Sequence, residues 1–138
     1  MNDDHKPFVL DTSALLAYTD DEEGAEVIVE LLHRARRGEI VLVSFASWME
    51  LHYIYLQERG EGEAQRWIET LKQLPLQRVE SDERTGEIAA ELKAQHRISF
   101  ADSWIAALAK VRDGMLVHKD PEFETIREEV TLQGLPYK

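Results

Sequence analysis

Four acidic residues of the chain are placed where a folded protein could bring carboxylates together. Asp11 directly follows a short apolar run near the start of the chain, and Asp120 follows another such run by three residues. Glu50 and Asp102 each lie early in a segment that is predicted to be helical. Mg²⁺ and Mn²⁺ prefer oxygen ligands, and an ion held by carboxylates can activate water and stabilise a phosphoryl group. As a set, the four acids indicate a hydrolytic metal site.

The elements that must position these acids alternate between short apolar runs and longer helical patterns. Strands are predicted at 8–10, 40–43, 76–80 and 115–117 and an edge strand at 130–132, with helices at 12–18, 23–37, 47–58, 63–73, 82–96 and 99–113. This alternation is typical of an α/β fold with a parallel sheet between helical layers. Ligands bind beyond the carboxyl ends of such strands, which is where Asp11 and Asp120 fall. We expect one domain over 1–138, with tails at 1–6 and 133–138.

Each acid also has a purely structural interpretation. Asp11 could cap the helix that follows it, and Asp120 before Pro121 is typical of a helix N-cap followed by proline at the first helical position. Glu50 and Asp102 each stand three residues after a serine, which is the spacing of a capping box. Taken one at a time, the four residues favour capping. What favours function is the set, because clustered acids without a cation repel one another.

Composition sets further limits on the function. The chain has 138 residues, no cysteine and a formal net charge of −11. The missing cysteine excludes disulfides, thiolate catalysis and cysteine-based metal sites. The acidic balance differs from the basic face usual in nucleic-acid binders, although a bound cation would present a positive centre to phosphate. The sequence shows no targeting signal and no apolar run long enough for a membrane helix, so we expect a cytoplasmic protein.

The segments around the four acids resemble, in order, the motifs of the PIN-domain family. They are VLDTSALLA at 9–17, SWMEL at 47–51, SFADSWIAA at 99–107 and LVHKDPEF at 116–123. The resemblance covers the chain from about residue 8 to residue 123, and within the family it is to the VapC-type toxins of prokaryotic toxin–antitoxin modules. It implies a three-layer α/β/α sandwich with a Rossmann-like parallel sheet of four to five strands.

The same resemblance implies an activity and partners. PIN-domain toxins hydrolyse single-stranded RNA with Mg²⁺ or Mn²⁺, often as homodimers, and an antitoxin protein covers their site. By position, Asp11, Glu50, Asp102 and Asp120 would be the acidic catalytic set. Asp11 and Asp102 would be direct metal ligands, Glu50 would hold or activate a water, and Asp120 would support a second ion or the water shell. A hydroxyl group near the metal or the phosphate would come from Thr12 or Ser13.

The fourth motif departs from the family pattern at His118. The family commonly has a small hydroxyl residue two places before the fourth acid, and this chain has a histidine there. An imidazole can ligate a metal, contact phosphate or orient water; equally, it can be a strand-end histidine with a satisfied hydrogen bond. If His118 takes the place of Asp120, the fourth acid loses its importance. Two alternatives therefore stay open, namely an interaction domain without catalysis and a nuclease for another nucleic acid.

Overall fold

The computed structural model describes residues 6–137 and has the alternating architecture that the sequence predicts. The strands β1 to β5 are Phe8–Leu10, Val41–Ser44, Gln77–Val79, Met115–His118 and Thr131–Gly134. The α-helices α1 to α6 are Thr12–Thr19, Ala25–Arg36, Phe45–Arg59, Glu61–Lys72, Glu83–Gln95 and Phe100–Val111, and a 3₁₀ helix spans Pro121–Ile126.

The five strands form one parallel sheet in the order β3-β2-β1-β4-β5. The chain moves outward from the central strand β1 to β2 and β3, and then crosses to β4 and β5 on the other side. Right-handed crossovers place the helices of these two halves on opposite faces of the sheet. Between β1 and β4 the strand order reverses, and such a reversal leaves a crevice at the carboxyl ends of the strands.

Alternate residues of the central strands enter two separate cores. Leu10, Val43 and Val117 pack with α1 to α4 on one face of the sheet. The neighbouring residues Val9, Leu42 and Leu116 pack with α5 and α6 on the other face. Strands with both faces buried are typical of parallel sheets. The predicted three-layer α/β/α sandwich is confirmed.

The start of α3 differs from the prediction. The helix begins at Phe45 instead of about Ser47, because Ser44 is the N-cap and its Oγ accepts the Ala46 N–H at 3.1 Å. The capping-box interpretation of Glu50 is therefore wrong. The break before α4 is also shorter than expected and centres on Gly60, whose positive φ of 85° suits a residue without a side chain.

The carboxyl-terminal segment is also more ordered than predicted. The tail expected at 133–138 is wrong for its first residues, because Gln133 and Gly134 belong to β5 and Leu135 is only 3% exposed. The Leu135 N–H donates to the His118 carbonyl at 2.7 Å. Of the expected amino-terminal tail, residues 1–5 lie outside the described range. Between residues 6 and 137, no helix has both the length and the hydropathy that a membrane span requires.

Candidate metal centre

Asp11 lies at the end of β1 and begins α1, so the capping interpretation of this residue is confirmed. Its Oδ1 accepts the Ala14 N–H at 2.8 Å, and the Ser13 hydroxyl donates to both carboxylate oxygens at 2.9 and 2.7 Å. The side chain is nonetheless only 2% exposed. Burial raises its pKa to about 7 against the lowering effect of these hydrogen bonds, and the charge of Asp120 adds to the rise. Asp11 therefore caps a helix and also faces a second carboxylate.

Glu50 projects from α3 toward the beginning of α1. Its Oε1 accepts a short hydrogen bond from the hydroxyl of Thr12, the first residue of α1. This contact joins two helices that follow neighbouring strands. Either Thr12 or Ser13 was expected to supply a hydroxyl near the metal or the phosphate; in the structure, the Thr12 hydroxyl donates to the Glu50 carboxylate.

Asp102 lies in the first turn of α6 and is only 8% exposed. Its backbone N–H donates to Oγ of the N-cap Ser99 at 3.1 Å. The pKa of the Asp102 carboxyl is raised to about 7, mainly by burial. The negative charges of four other acids also raise it, namely Asp11, Glu50, Asp120 and Glu122. No described residue donates a hydrogen bond to this carboxylate. Asp102 is therefore a buried acid whose neighbours are other acids.

The segment after β4 supplies two acids, one of which the sequence analysis missed. Asp120 is the N-cap of the 3₁₀ helix, and its Oδ1 accepts the Glu122 N–H at 2.9 Å. Asp102, Asp120 and Glu122 each present one carboxylate oxygen within 4.8 Å of the other two. Glu122 was overlooked because an acid in the first turn of a helix is common without any function. The available signal was its position two residues after Asp120.

Five carboxylates thus gather at the carboxyl edge of the sheet without a positive partner. They come from the ends of β1 and β4 and from the early turns of α3 and α6. Within the part of the chain that the structure describes, no lysine, arginine or histidine forms an ion pair with any of them. Oxygen donors of this charge and spacing suit a hard divalent cation. The acids are Asp11, Glu50, Asp102, Asp120 and Glu122.

Ser13 links the two sides of this site. Besides donating to Asp11, its Oγ accepts the backbone N–H of Lys119 at 2.8 Å. The Lys119 side chain points away from the acids, since its Nζ donates to the Glu23 carbonyl at 2.8 Å and lies 3.5 Å from Glu22 Oε1. Ser13 therefore joins the start of α1 to the segment after β4, and Lys119 leaves the charge of the site uncompensated.

His118, the last residue of β4, is buried and makes the satisfied hydrogen bond that one interpretation expected. Its Nδ1 accepts the Asp120 N–H at 3.3 Å. Burial lowers the pKa of this imidazole below its ordinary value. His118 does not take the place of Asp120, because Asp120 is itself part of the acidic group.

The comparison with family models agrees with this arrangement. The sequence matches the model of the PIN domain over residues 8–129. The chain therefore belongs to the PIN-domain family, whose members are typically nucleases. A comparison with curated protein sequences gives no significant match.

The solved structures with a similar fold include proteins of toxin–antitoxin systems. VapBC2 from Rickettsia felis, bound to a promoter DNA fragment, has a TM-score of 0.76 at 18% identity over 94% of this chain and 99% of that chain. VapBC-5 from Mycobacterium tuberculosis has a TM-score of 0.65 at 17% identity and covers 94% of this chain and 98% of its own. VapC20 from the same organism, a Sarcin-Ricin loop cleaving toxin, has a TM-score of 0.67 at 16% identity. The match covers 85% of this chain and 92% of that chain. At these identities the likeness shows the fold.

Proposed function

We propose that this chain is a metal-dependent endoribonuclease that hydrolyses single-stranded RNA and serves as the toxin of a type II toxin–antitoxin module. The observation that carries the proposal is that Asp102, Asp120 and Glu122 each place a carboxylate oxygen within 4.8 Å of the other two, with the charges of Asp11 and Glu50 also acting on Asp102. Capping alone does not bring carboxylates of different helices together, whereas a bound divalent ion would stabilise such a group. Membership of the PIN-domain family supports nuclease activity, and the likeness to a Sarcin-Ricin loop cleaving toxin supports RNA as the substrate.

Each acid of the site has a proposed role that follows from its position. Asp11 and Asp102, the two most buried acids, would hold Mg²⁺ or Mn²⁺ directly, and Asp120 with Glu122 would complete the oxygen ligands. Glu50, held by Thr12, would orient the attacking water and accept its proton. A bound divalent cation supplies Lewis-acid chemistry at a phosphoryl oxygen.

The protein partners follow from the same family. We propose that a cognate antitoxin covers the acidic site in the cytoplasm, as the toxin–antitoxin composition of the similar structures supports. We also propose a homodimer. The side chains of Met49, Tyr53 and Leu56 are exposed and recur at the spacing of one helical face on α3, which is typical of a contact surface. Sedimentation of a Leu56→Glu variant against the unmodified chain tests this; a monomeric unmodified chain at micromolar concentration contradicts it.

RNA cleavage in the presence of Mn²⁺ tests the enzyme proposal. We expect Asp102→Asn to lower the cleavage rate roughly a thousandfold. A catalytic metal stabilises the transition state by several kcal/mol, and each loss of about 1.4 kcal/mol slows the reaction tenfold. The matched control is Asp113→Asn, which makes the same change at a side chain that is 80% exposed. Equal activity of Asp102→Asn and the unmodified chain would contradict the mechanism. A panel of RNA, single-stranded DNA and structured substrates identifies the nucleic acid.

Metal binding separates the enzyme from an interaction domain with the same fold. A ligand at 100 times its Kd stabilises a protein by about 2.7 kcal/mol, so we expect Mn²⁺ to raise the Tm by roughly 10 °C. The rise should be absent in Asp102→Asn and present in Asp113→Asn. A Tm of the unmodified chain that does not respond to Mn²⁺ would favour the interaction domain.

A further inference from the structure

The ring of His118 is confined on several sides. It is 1% exposed, and its centroid lies 5.3 Å from that of Phe123 and 6.0 Å from that of Tyr137. Gly134 of the adjacent strand closes another side, since a Cβ there would lie 3.7 Å from His118 Nε2. Because the ring cannot turn freely in this packing, the position of its Nδ1 atom is fixed.

This fixed acceptor faces the backbone of the segment that carries two of the acids. The Asp120 N–H donates to His118 Nδ1 at 3.3 Å, and Asp120 Oδ1 accepts the Glu122 N–H at 2.9 Å. An accepting Nδ1 places the proton of the neutral ring on Nε2. Two successive hydrogen bonds therefore define the turn that directs Asp120 and Glu122 toward Asp102.

We propose that His118 is a positioning residue of the metal centre, which orients the carboxylates of Asp120 and Glu122 through the Asp120 backbone. His118 itself touches neither the ion nor the substrate. This inference rests on the proposed function, because it assigns a role within the same site. Hydrogen bonds that orient metal ligands typically contribute about 10- to 100-fold to metal affinity.

Three substitutions of His118 test the hydrogen-bond acceptor and the aromatic ring separately. His118→Asn keeps an acceptor close to the Nδ1 position and loses the ring, whereas His118→Phe keeps a ring and loses the acceptor. His118→Gln places its acceptor near the Nε2 position and serves as a second amide if His118→Phe does not fold. By calorimetry with Mn²⁺ alone, we expect His118→Asn to bind within about threefold of the unmodified chain, and the other two to bind about 10- to 100-fold more weakly.

Hydrogen exchange of the Asp120 amide, measured without metal, reports directly on its hydrogen bond to His118 Nδ1. Slow exchange is expected in the unmodified chain and in His118→Asn, and faster exchange in His118→Gln and His118→Phe. If the ring matters only for packing, His118→Phe binds Mn²⁺ better than His118→Asn, and that order would overturn the inference. Equal exchange in all of these proteins would also overturn it. Failure of the proposed function is a separate result, namely that the unmodified chain does not bind Mn²⁺.

Discussion

Two aspartates of this protein begin helices with nearly the same hydrogen bonds. Asp11 accepts the Ala14 N–H at 2.8 Å and the hydroxyl of Ser13. Asp82 accepts the Thr85 N–H at 2.8 Å and the hydroxyl of the same threonine at 3.0 Å. Their pKa values nevertheless move in opposite directions. Burial raises the pKa of Asp11 to about 7, whereas the backbone N–H of Thr85 lowers the pKa of Asp82.

The difference comes from what surrounds each cap. Asp82 is exposed, and the charge of Arg112 favours its ionised form. Asp11 is buried with the negative charge of Asp120 nearby. A capping hydrogen bond therefore does not decide whether an acid is structural or functional. Burial among like charges is the feature that marks a candidate metal ligand.

The largest expected effect is on catalysis. We expect Asp11→Asn to lower the rate of RNA cleavage roughly a thousandfold, because it removes the charge of a proposed metal ligand. Asp82→Asn should retain the rate, and both variants should fold, since asparagine is also a good N-cap. Cleavage assays with Mn²⁺ compare the pair. An equal loss of activity in both variants would show that the two caps do not differ in role.

The next effect is on the pH dependence of stability in the absence of metal. Asp11 and Asp102 keep their protons up to a pH of about 7 in the folded chain, but lose them near pH 4 when unfolded. The folded state then binds more protons between these values, so its stability falls as the pH rises from about 4, and the loss is complete once the pH has passed about 7. We expect the free energy of unfolding to decrease by on the order of 3–5 kcal/mol between pH 5 and pH 8, since each group contributes about 1.4 kcal/mol per pH unit up to about pH 7.

Urea titrations in the presence of a chelator measure this slope. Asp11→Asn should reduce the slope to roughly half, because only one of the two groups still titrates. Asp82→Asn should leave the slope unchanged. Because the pKa of Asp82 is lowered in the folded chain, its carboxyl is ionised in both the folded and the unfolded state throughout this pH range. A flat profile for the unmodified chain would contradict the role of burial in this comparison.

The smallest effect is the loss of the exposed cap. Asp82→Ala removes the acceptor for the Thr85 N–H and should lower the Tm by a few degrees, while Asp82→Asn should not. Thermal unfolding of the two variants tests this, and both should cleave RNA at the unmodified rate. A change in cleavage would connect Asp82 to the site after all.

The sequence was a good guide where the fold follows from repeated patterns. The apolar runs predicted the parallel sheet, and the carboxyl ends of parallel strands share one edge, so Asp11 and Asp120 could be placed there. The beginning of α3 was harder, since Ser44 and Ser47 both offer capping oxygens and β2 runs directly into the helix. Local pattern alone does not choose between two such caps.

What the sequence could not supply depends on contacts between distant segments. Glu122 belongs to the acidic group because the fold brings its carboxylate within 4.8 Å of that of Asp102, which lies twenty residues earlier in the chain. Leu135 is buried because Gly24, with a φ of 99°, leaves room for it: a Cβ there would lie 3.0 Å from the Leu135 Cβ. The role of His118 likewise depends on the position of Tyr137, which no local pattern predicts.

The central place of β1 in the sheet has a consequence for the newly made chain. This strand is synthesised long before one of its two partners, β4, which begins only at Met115. Until then one edge of β1 is unpaired, and Asp120 and Glu122 have not been synthesised. The acidic group is therefore complete only after Glu122 has been synthesised and β4 has paired with β1, so a chain that stops before Asp120 would lack two of the carboxylates.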